Sequence, residues 1–203
     1  MNSKILIITG SEDQGVSCLA KLLKTQDIYF GKKEFFPPGD GNLEGFWGHM
    51  SFLSINTKLL ETFHGSWDNP PILPENWEKN ETLKMIEKHA EKLIEQFIDK
   101  PLWGWNDSRT SLFLPFWRNI IVKTIPNAEI FSIICIRRPW DAAAYFENHH
   151  NFDTDKSIKL WIRYTYDSLI YTKKTRKLFI EYESLTQKPQ DEIERIHHLL
   201  KEL

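Results

Sequence analysis

The chain has only two cysteines in 203 residues, Cys18 and Cys135. Both lie among apolar neighbours in segments with a helix or strand pattern. One distant pair supplies neither the disulfide framework of a small secreted domain nor the closely spaced ligand pairs of a zinc site. We therefore expect two buried thiols and no metal centre.

A large charge of either sign is also lacking. The 26 Lys and Arg residues are nearly balanced by 28 Asp and Glu residues, which leaves a net charge of −2. Proteins that bind duplex nucleic acid present broad basic surfaces to the phosphates. We expect no nucleic-acid partner, and an anion-binding site would have to be a local pocket.

Long apolar runs are absent as well. No stretch approaches the ~20 residues that span a bilayer, and the first segment, MNSKILIITG, lacks the apolar region of a signal peptide. We expect a cytoplasmic protein without a membrane partner. Aromatic residues, in contrast, make up 13% of the chain and include eight Trp, which favours an aromatic core or cleft.

Strand and helix patterns alternate along the chain. The strand candidates are KILIIT (4–9), PLWGW (101–105), AEIFSIICI (128–136) and KLFIEY (177–182). Amphipathic helical spacing fills most of the intervals between them, for example over 81–99. This alternation predicts an α/β fold, with a mostly parallel central sheet flanked by helices. A length of 203 residues is typical of a single domain, here 1–203.

Polar sequence follows each of these strands. The four segments are TGSEDQG, WNDSRT, IRRP and EYESL. Ligands of open α/β sheets bind beyond the carboxyl ends of the strands. We therefore expect the functional site at this edge of the sheet, with Arg137 facing the same cleft as the first loop.

The first of these loops resembles a phosphate-binding loop. Gly10 to Ser17 has the glycine spacing of G-x-x-x-x-G-K-[ST], with Val16 in place of the lysine. Backbone N–H groups at the start of a helix favour an anion, whereas Glu12 and Asp13 repel one. The missing lysine argues against an ordinary ATPase, GTPase or small-molecule kinase. The alternative is a tight strand-to-helix turn without a ligand.

Five further segments resemble, in order and spacing, a bacterial branch of the sulfotransferase family. They are GNLEGFWGHMSFLSINTKLLETFHGSWDNPP, WGWNDSRTSLFLPFWRNII, IFSIICIRRPWDAAAYF, LWIRYTYDSL and LFIEYESLTQKP. The resemblance extends from residue 4 to about 189. It implies a three-layer fold like that of P-loop NTPases, with 3′-phosphoadenosine 5′-phosphosulfate (PAPS) as the cofactor. The implied reaction moves a sulfuryl group to a hydroxyl or amine of a small-molecule or glycan acceptor.

The resemblance also implies which residues hold the nucleotide. Arg137 would bind the 3′-phosphate together with position 145, where the family has serine and this chain has Tyr145. The 5′-phosphosulfate would be held by Ser11, Gln14, Gly15, Val16 and Ser17.

The chain departs from the family at a charged position of the loop. The family has a cation where this chain has Asp13. A unit charge ~5 Å from another contributes roughly 3 kcal/mol at an effective dielectric constant of ~20. We therefore expect a weaker affinity for PAPS than the family's usual loop provides.

Three residues are candidates for the chemistry of transfer. Asp107, in WNDSRT, is the best-placed carboxylate for a general base, and Arg109 is a candidate for contacting the sulfonate. An ion pair between the two that only shapes the loop is an equal alternative. His49 flanks the loop region that would cover an acceptor, and an imidazole can take up a proton there; His64 flanks the same region.

Two other functions stay open on the sequence. The protein could retain the fold and binding role without transfer activity, with the aromatic segments 41–49 and 64–77 as a contact surface. The third alternative, an atypical nucleotide kinase, is opposed by the missing lysine. Neither the acceptor nor the oligomeric state follows from the residues.

Overall fold

Strands and helices alternate along the chain as the sequence patterns predict. The computed structural model describes residues 3–11, 15–31, 35–36, 46–47, 49–173 and 175–201. The strands are β1 (Lys4–Gly10), β2 (Phe35–Phe36), β3 (Phe46–Trp47), β4 (Leu102–Asn106), β5 (Glu129–Ile136) and β6 (Arg176–Glu181). The helices are α1 (Val16–Leu23), α2 (Met50–Thr62), α3 (Lys84–Glu95), α4 (Thr110–Thr124), α5 (Pro139–His150), α6 (Thr154–Tyr171), α7 (Tyr182–Gln187) and α8 (Pro189–Lys201).

The central sheet has four strands in the order β4-β1-β5-β6. All three neighbouring pairs are parallel, which confirms the predicted parallel sheet. The short strands β2 and β3 form a separate antiparallel pair.

Helices cover both faces of the sheet. On β1, Ile5 and Ile7 point to a core that includes residues of α2, α3, α4 and α6. The alternate residues Leu6 and Ile8 point to a second core, formed with α1 and α8. Burial on both faces explains why this strand is an unbroken apolar run rather than an alternating one. The three-layer α/β architecture predicted from the sequence is therefore confirmed.

The aromatic residues fill the first of these cores. Phe97 stacks on Trp103 and Phe52 stacks on Trp105, each pair with ring centroids 4.4 Å apart. The indole N–H groups are satisfied as well: Trp103 donates to Ser3 Oγ, Trp105 to Thr110 Oγ1, and Trp117 to Asn56 Oδ1. The high aromatic content therefore serves the core to a large extent.

The two cysteines differ in exposure. Cys135 is buried, and burial raises the pKa of its thiol. Cys18 is exposed, so the expectation of two buried thiols is wrong for this residue. The reason is helical phase, because α1 packs inward through Val16, Leu19, Ala20 and Leu23. In the described part of the chain, no helix is long and apolar enough to cross a membrane.

Candidate functional site

The polar segments that follow the strands meet at one edge of the sheet. Ile8 on β1 pairs with Asn106 at the end of β4, and Ile136 on β5 pairs with Glu181 at the end of β6. The carboxyl ends of the four strands are therefore nearly in register. This edge is where open α/β sheets bind their ligands.

Gly10 brings β1 very close to β5. Its φ is 143°, and a Cβ atom at this position would lie 2.5 Å from the carbonyl oxygen of Cys135. Ser111 on α4 holds the same glycine, because its Oγ lies 3.3 Å from both the Gly10 N and the Gly10 O. The start of the loop is thus fixed by β5 on one side and by α4 on the other.

Gly15 ends the loop and begins α1. It is the N-cap residue, with a φ of 88°, and no side chain caps the helix. The first N–H groups of a helix lack intrahelical partners and attract negative charge. The start of α1 therefore presents backbone donors at this end of the loop.

Tyr182 connects this loop with Arg137. A Cβ atom on Gly15 would lie 2.8 Å from Cδ2 of the Tyr182 ring. The guanidinium carbon of Arg137 lies 4.5 Å from the centroid of the same ring. Gly15 and Arg137 therefore border one aromatic side chain. Sequence reasoning did not select Tyr182, although it opens the YESL segment at the end of the last strand.

Arg137 and its neighbour Arg138 have different surroundings. The Nε of Arg138 pairs with Asp141 at 2.6 Å and with Glu183 at 3.6 Å. The Nε of Arg137 is buried and has no hydrogen-bond partner among the residues that the structure describes. A buried donor without an acceptor is costly, so this nitrogen is a candidate for contact with an anionic ligand.

Tyr145 lies on α5 and contacts the end of that helix. Its ring stacks on His149 with centroids 3.8 Å apart, and its carbonyl oxygen lies 2.9 Å from the His149 Nδ1. His150 is also near, at 6.4 Å between centroids. The phenol ring of Tyr145 is part of a local aromatic group. Tyr145 therefore does not simply take the place of the serine that the family has at this position.

Asp107 belongs to a buried hydrogen-bond network. It is 1% exposed. Its Oδ2 accepts a hydrogen bond from Asn56 Nδ2 at 2.8 Å, and its Oδ1 accepts one from the backbone N–H of Arg109 at 3.1 Å. Asn56 also donates to Thr110 Oγ1 at 3.0 Å. Both carboxylate oxygens are therefore engaged in holding the start of α4 against α2.

Arg109 is near the same carboxylate but is only weakly paired with it. The Arg109 Nη1 lies 3.7 Å from the Asp107 Oδ1, which is longer than a charge-assisted hydrogen bond. The main contact between the two residues is the backbone one, an arrangement common where Asp precedes a helix. The geometry supports the loop-shaping alternative for this pair.

His49 is the N-cap of α2. Its Nδ1 accepts a hydrogen bond from the backbone N–H of Ser51 at 3.3 Å. Its ring packs against Phe52 and Phe97. His49 also precedes Asn56, the partner of Asp107, by two turns of helix, or about 10 Å of rise. His49 and the Asn56 that binds Asp107 are therefore separated along the helix axis.

The remaining residues of the predicted phosphosulfate site are placed as follows. Ser11 is fully buried and Val16 is buried in the core around α1. Ser17 is half-buried in the first turn of α1. Gln14, together with Glu12 and Asp13, lies outside the described residues.

The structure describes only part of the two aromatic segments, 41–49 and 64–77, that the sequence offers as a contact surface. Most of 41–49 lies outside the described residues. In 64–77, Trp67 packs against His150 with centroids 5.0 Å apart, and its carbonyl oxygen accepts a hydrogen bond from Tyr164 at 2.8 Å. Trp77 is buried. The two tryptophans of this segment therefore pack against the rest of the molecule.

Comparison with known proteins supports this fold. No family model matches the chain, and no curated protein matches it. The sulfotransferase STF9 from Mycobacterium avium has a similar structure, with a TM-score of 0.55 and 13% identity. That alignment covers 100% of this chain and 65% of the other. The sulfotransferase domain from the curacin biosynthetic pathway aligns with a TM-score of 0.51 and 13% identity, over 98% of this chain and 74% of that domain. The chain therefore has the fold of bacterial sulfotransferases, and it spans less than two thirds of the STF9 chain.

Proposed function

We propose that this protein binds PAPS at the carboxyl edge of its sheet and transfers the sulfuryl group to a hydroxyl or amine of an acceptor. The observation that carries the proposal is the buried Arg137 Nε, which has no hydrogen-bond partner among the described residues. A phosphate oxygen would supply the missing acceptor and offset the positive charge. The fold shared with sulfotransferases adds support.

The described residues fit such a nucleotide at two points. Arg137 would hold the 3′-phosphate, with its guanidinium oriented by the Tyr182 ring. The uncapped start of α1 at Gly15 would hold the 5′ side through backbone N–H groups. When bound, the nucleotide supplies an activated sulfuryl group. The protein's own task is to fix the position of this group and to stabilise charge on its oxygens.

Transfer also requires a base that takes the proton of the acceptor, and the geometries of two candidate bases oppose this role. Both oxygens of Asp107 already accept hydrogen bonds. The Nδ1 of His49 accepts the cap hydrogen bond, so the neutral ring carries its proton on Nε2, and its basic nitrogen is already engaged in capping α2. Arg109 would then serve the sulfonate as a cation rather than as part of an acid–base pair.

These geometries favour a second candidate function, nucleotide binding without transfer. In this alternative the Gly15–Tyr182–Arg137 group is retained as a binding site, and Asp107 serves α4 alone. Asp13, where the family has a cation beside the phosphosulfate, agrees with the loss of transfer in this alternative. The two functions share the nucleotide site and differ in chemistry.

Two experiments separate these functions. Calorimetry with adenosine 3′,5′-bisphosphate, the product nucleotide, tests the site that both share, and we expect binding. Incubation with ³⁵S-labelled PAPS and a panel of phenols, amines and sugars then tests transfer. Labelled acceptor supports the enzyme, whereas binding without labelled acceptor supports the second function. Absence of binding at millimolar concentration to a folded protein would contradict both.

A further inference from the structure

Helix α6 leaves a row of large apolar side chains in solvent. Ile162 is 52% exposed, Tyr166 58% and Leu169 38%. Their spacing of four and three residues places them on one stripe of the helix. The opposite side of α6 is already buried, through Leu160 and Tyr164 in the core. The exposed stripe is therefore a second apolar face of α6 that the described part of the chain leaves in solvent.

Charged residues flank this stripe in sequence on both sides. Asp155 and Lys159 precede it, and Lys173 follows it in the turn that ends the helix, all three exposed. The six positions are thus separated by four, three, four, three and four residues. Alternation of three and four is the spacing of the contact seam in a coiled coil. The seam is apolar at its centre and charged at its ends.

This seam is self-complementary when two copies run antiparallel. The spacing is the same in both directions. A two-fold axis at the level of residue 164 along the helix therefore places each of the six positions opposite another of the six on the second copy. Ile162 then faces Tyr166 of the second copy, and Asp155 faces Lys173 of the second copy. In a two-fold interface each of these contacts occurs twice. Opposite charges therefore meet at both ends of the seam.

We propose that this face of α6 is the contact of a homodimer, with an antiparallel second copy of α6 as its occupant. Two helices with seams of this spacing pack at about 20° with interlocking side chains. The apolar centre provides the driving force, and the charges at the ends select the antiparallel direction. A parallel pair would place Asp155 beside Asp155 and Lys173 beside Lys173.

Exchanging the charges at the two ends of the seam tests this arrangement. Sedimentation equilibrium of the ligand-free protein over a range of concentrations measures the dimerisation constant. We expect dimerisation of the unaltered protein. Asp155→Lys and Lys173→Asp should each weaken it about tenfold, because each creates two like-charge contacts. The double variant should recover most of the affinity. Asp155 also pairs with Lys159 within its own helix, so circular dichroism must show that α6 is retained.

Replacing one of two exposed aliphatic side chains by glutamate supplies a second test and its matched control. Ile162→Glu should abolish the dimer, because it places a carboxylate at the apolar centre. Val122→Glu changes a side chain of similar exposure, 59%, on α4 and should leave dimerisation unchanged. A protein that is monomeric at every concentration would overturn the proposal. Failure of the double charge variant to recover, or an equal effect of both glutamates, would overturn it as well.

Discussion

Two adjacent arginines show how much of a site is decided by single side chains. Arg138 is paired with Asp141 and Glu183, whereas the buried Nε of Arg137 has no hydrogen-bond partner among the described residues. The Tyr182 ring lies against Arg137 and also against Gly15. The sequence gives both arginines the same charge, and only the contacts distinguish a surface ion pair from a candidate ligand-binding group.

The charge at position 13 should control the affinity for the nucleotide. Asp13→Arg should strengthen binding of adenosine 3′,5′-bisphosphate, because it replaces a repelling charge with an attracting one two residues before the N-cap of α1, the proposed anion site. Glu12→Gln should help less, since it removes a charge without adding a cation. Calorimetry at two salt concentrations measures both. The gain for Asp13→Arg should shrink at the higher salt, where charges are screened within a few ångströms; an unchanged affinity in a folded variant would contradict this account of the loop.

Asn56 should matter for stability rather than for chemistry. Asn56→Ala removes the donor to Asp107 and the acceptor for the Trp117 indole N–H, which are both buried. Leaving such groups without partners costs about 1–3 kcal/mol for each neutral group and more for a charged one, so we expect a loss of about 3 kcal/mol. Urea unfolding measures the difference. The matched change Asn148→Ala, at an exposed helical position, should have little effect, and equal losses in both variants would contradict the network.

At the scale of elements, the sequence patterns predict most of the fold. The predicted strand at 128–136 is β5 (Glu129–Ile136), and the helix predicted over 81–99 is α3 (Lys84–Glu95) preceded by a short turn. Apolar periodicity suffices for such elements because it reflects which face is buried.

The surroundings of individual side chains are harder to predict, because they depend on how distant segments meet and on how each side chain is oriented. Asn56 and Asp107 are far apart in sequence but share a hydrogen bond. The N-cap role of His49 depends on the orientation of its ring, which the residue type does not specify. Exposure of Cys18 depends on the phase of α1. The sequence therefore predicts which polar segments meet at the carboxyl edge of the sheet, whereas the contacts of their individual side chains depend on the folded arrangement.

Two glycines at the ends of the first loop should respond differently to alanine. Gly10→Ala would place Cβ 2.5 Å from a backbone oxygen of β5, which cannot move without disturbing the sheet. We expect a loss of about 3 kcal/mol, at the upper end for overpacking. Gly15→Ala meets a Tyr182 ring atom at 2.8 Å, and a ring can rotate. Its stability loss should be smaller, about 1–2 kcal/mol for the positive φ.

Thermal unfolding and nucleotide titration of both glycine variants measure these effects. Gly15→Ala should weaken nucleotide binding more than its small stability loss accounts for, because the ring that it displaces also contacts Arg137. A larger stability loss for Gly15→Ala than for Gly10→Ala would contradict this description of the loop.

Over the whole molecule the charges nearly balance, and the proposed anion site depends on a local cation, Arg137. A net charge of −2 provides no general attraction for nucleotides, so binding has to come from the edge of the sheet where the loop, Tyr182 and Arg137 meet. The fold is that of bacterial sulfotransferases. Within this fold, the contacts of Arg137 support the proposed nucleotide site, whereas the contacts of Asp107 and His49 oppose their proposed role as a base.

The most direct test of this account is whether Arg137 recognises a 3′-phosphate. Calorimetry would compare adenosine 3′,5′-bisphosphate with adenosine 5′-phosphate for the unaltered protein, for Arg137→Gln and for the control Arg138→Gln. We expect the unaltered protein and Arg138→Gln to prefer the bisphosphate by about 2 kcal/mol, or roughly thirtyfold, and Arg137→Gln to lose that preference. A folded protein that binds neither nucleotide, or an Arg137→Gln variant that keeps the full preference, would contradict the account.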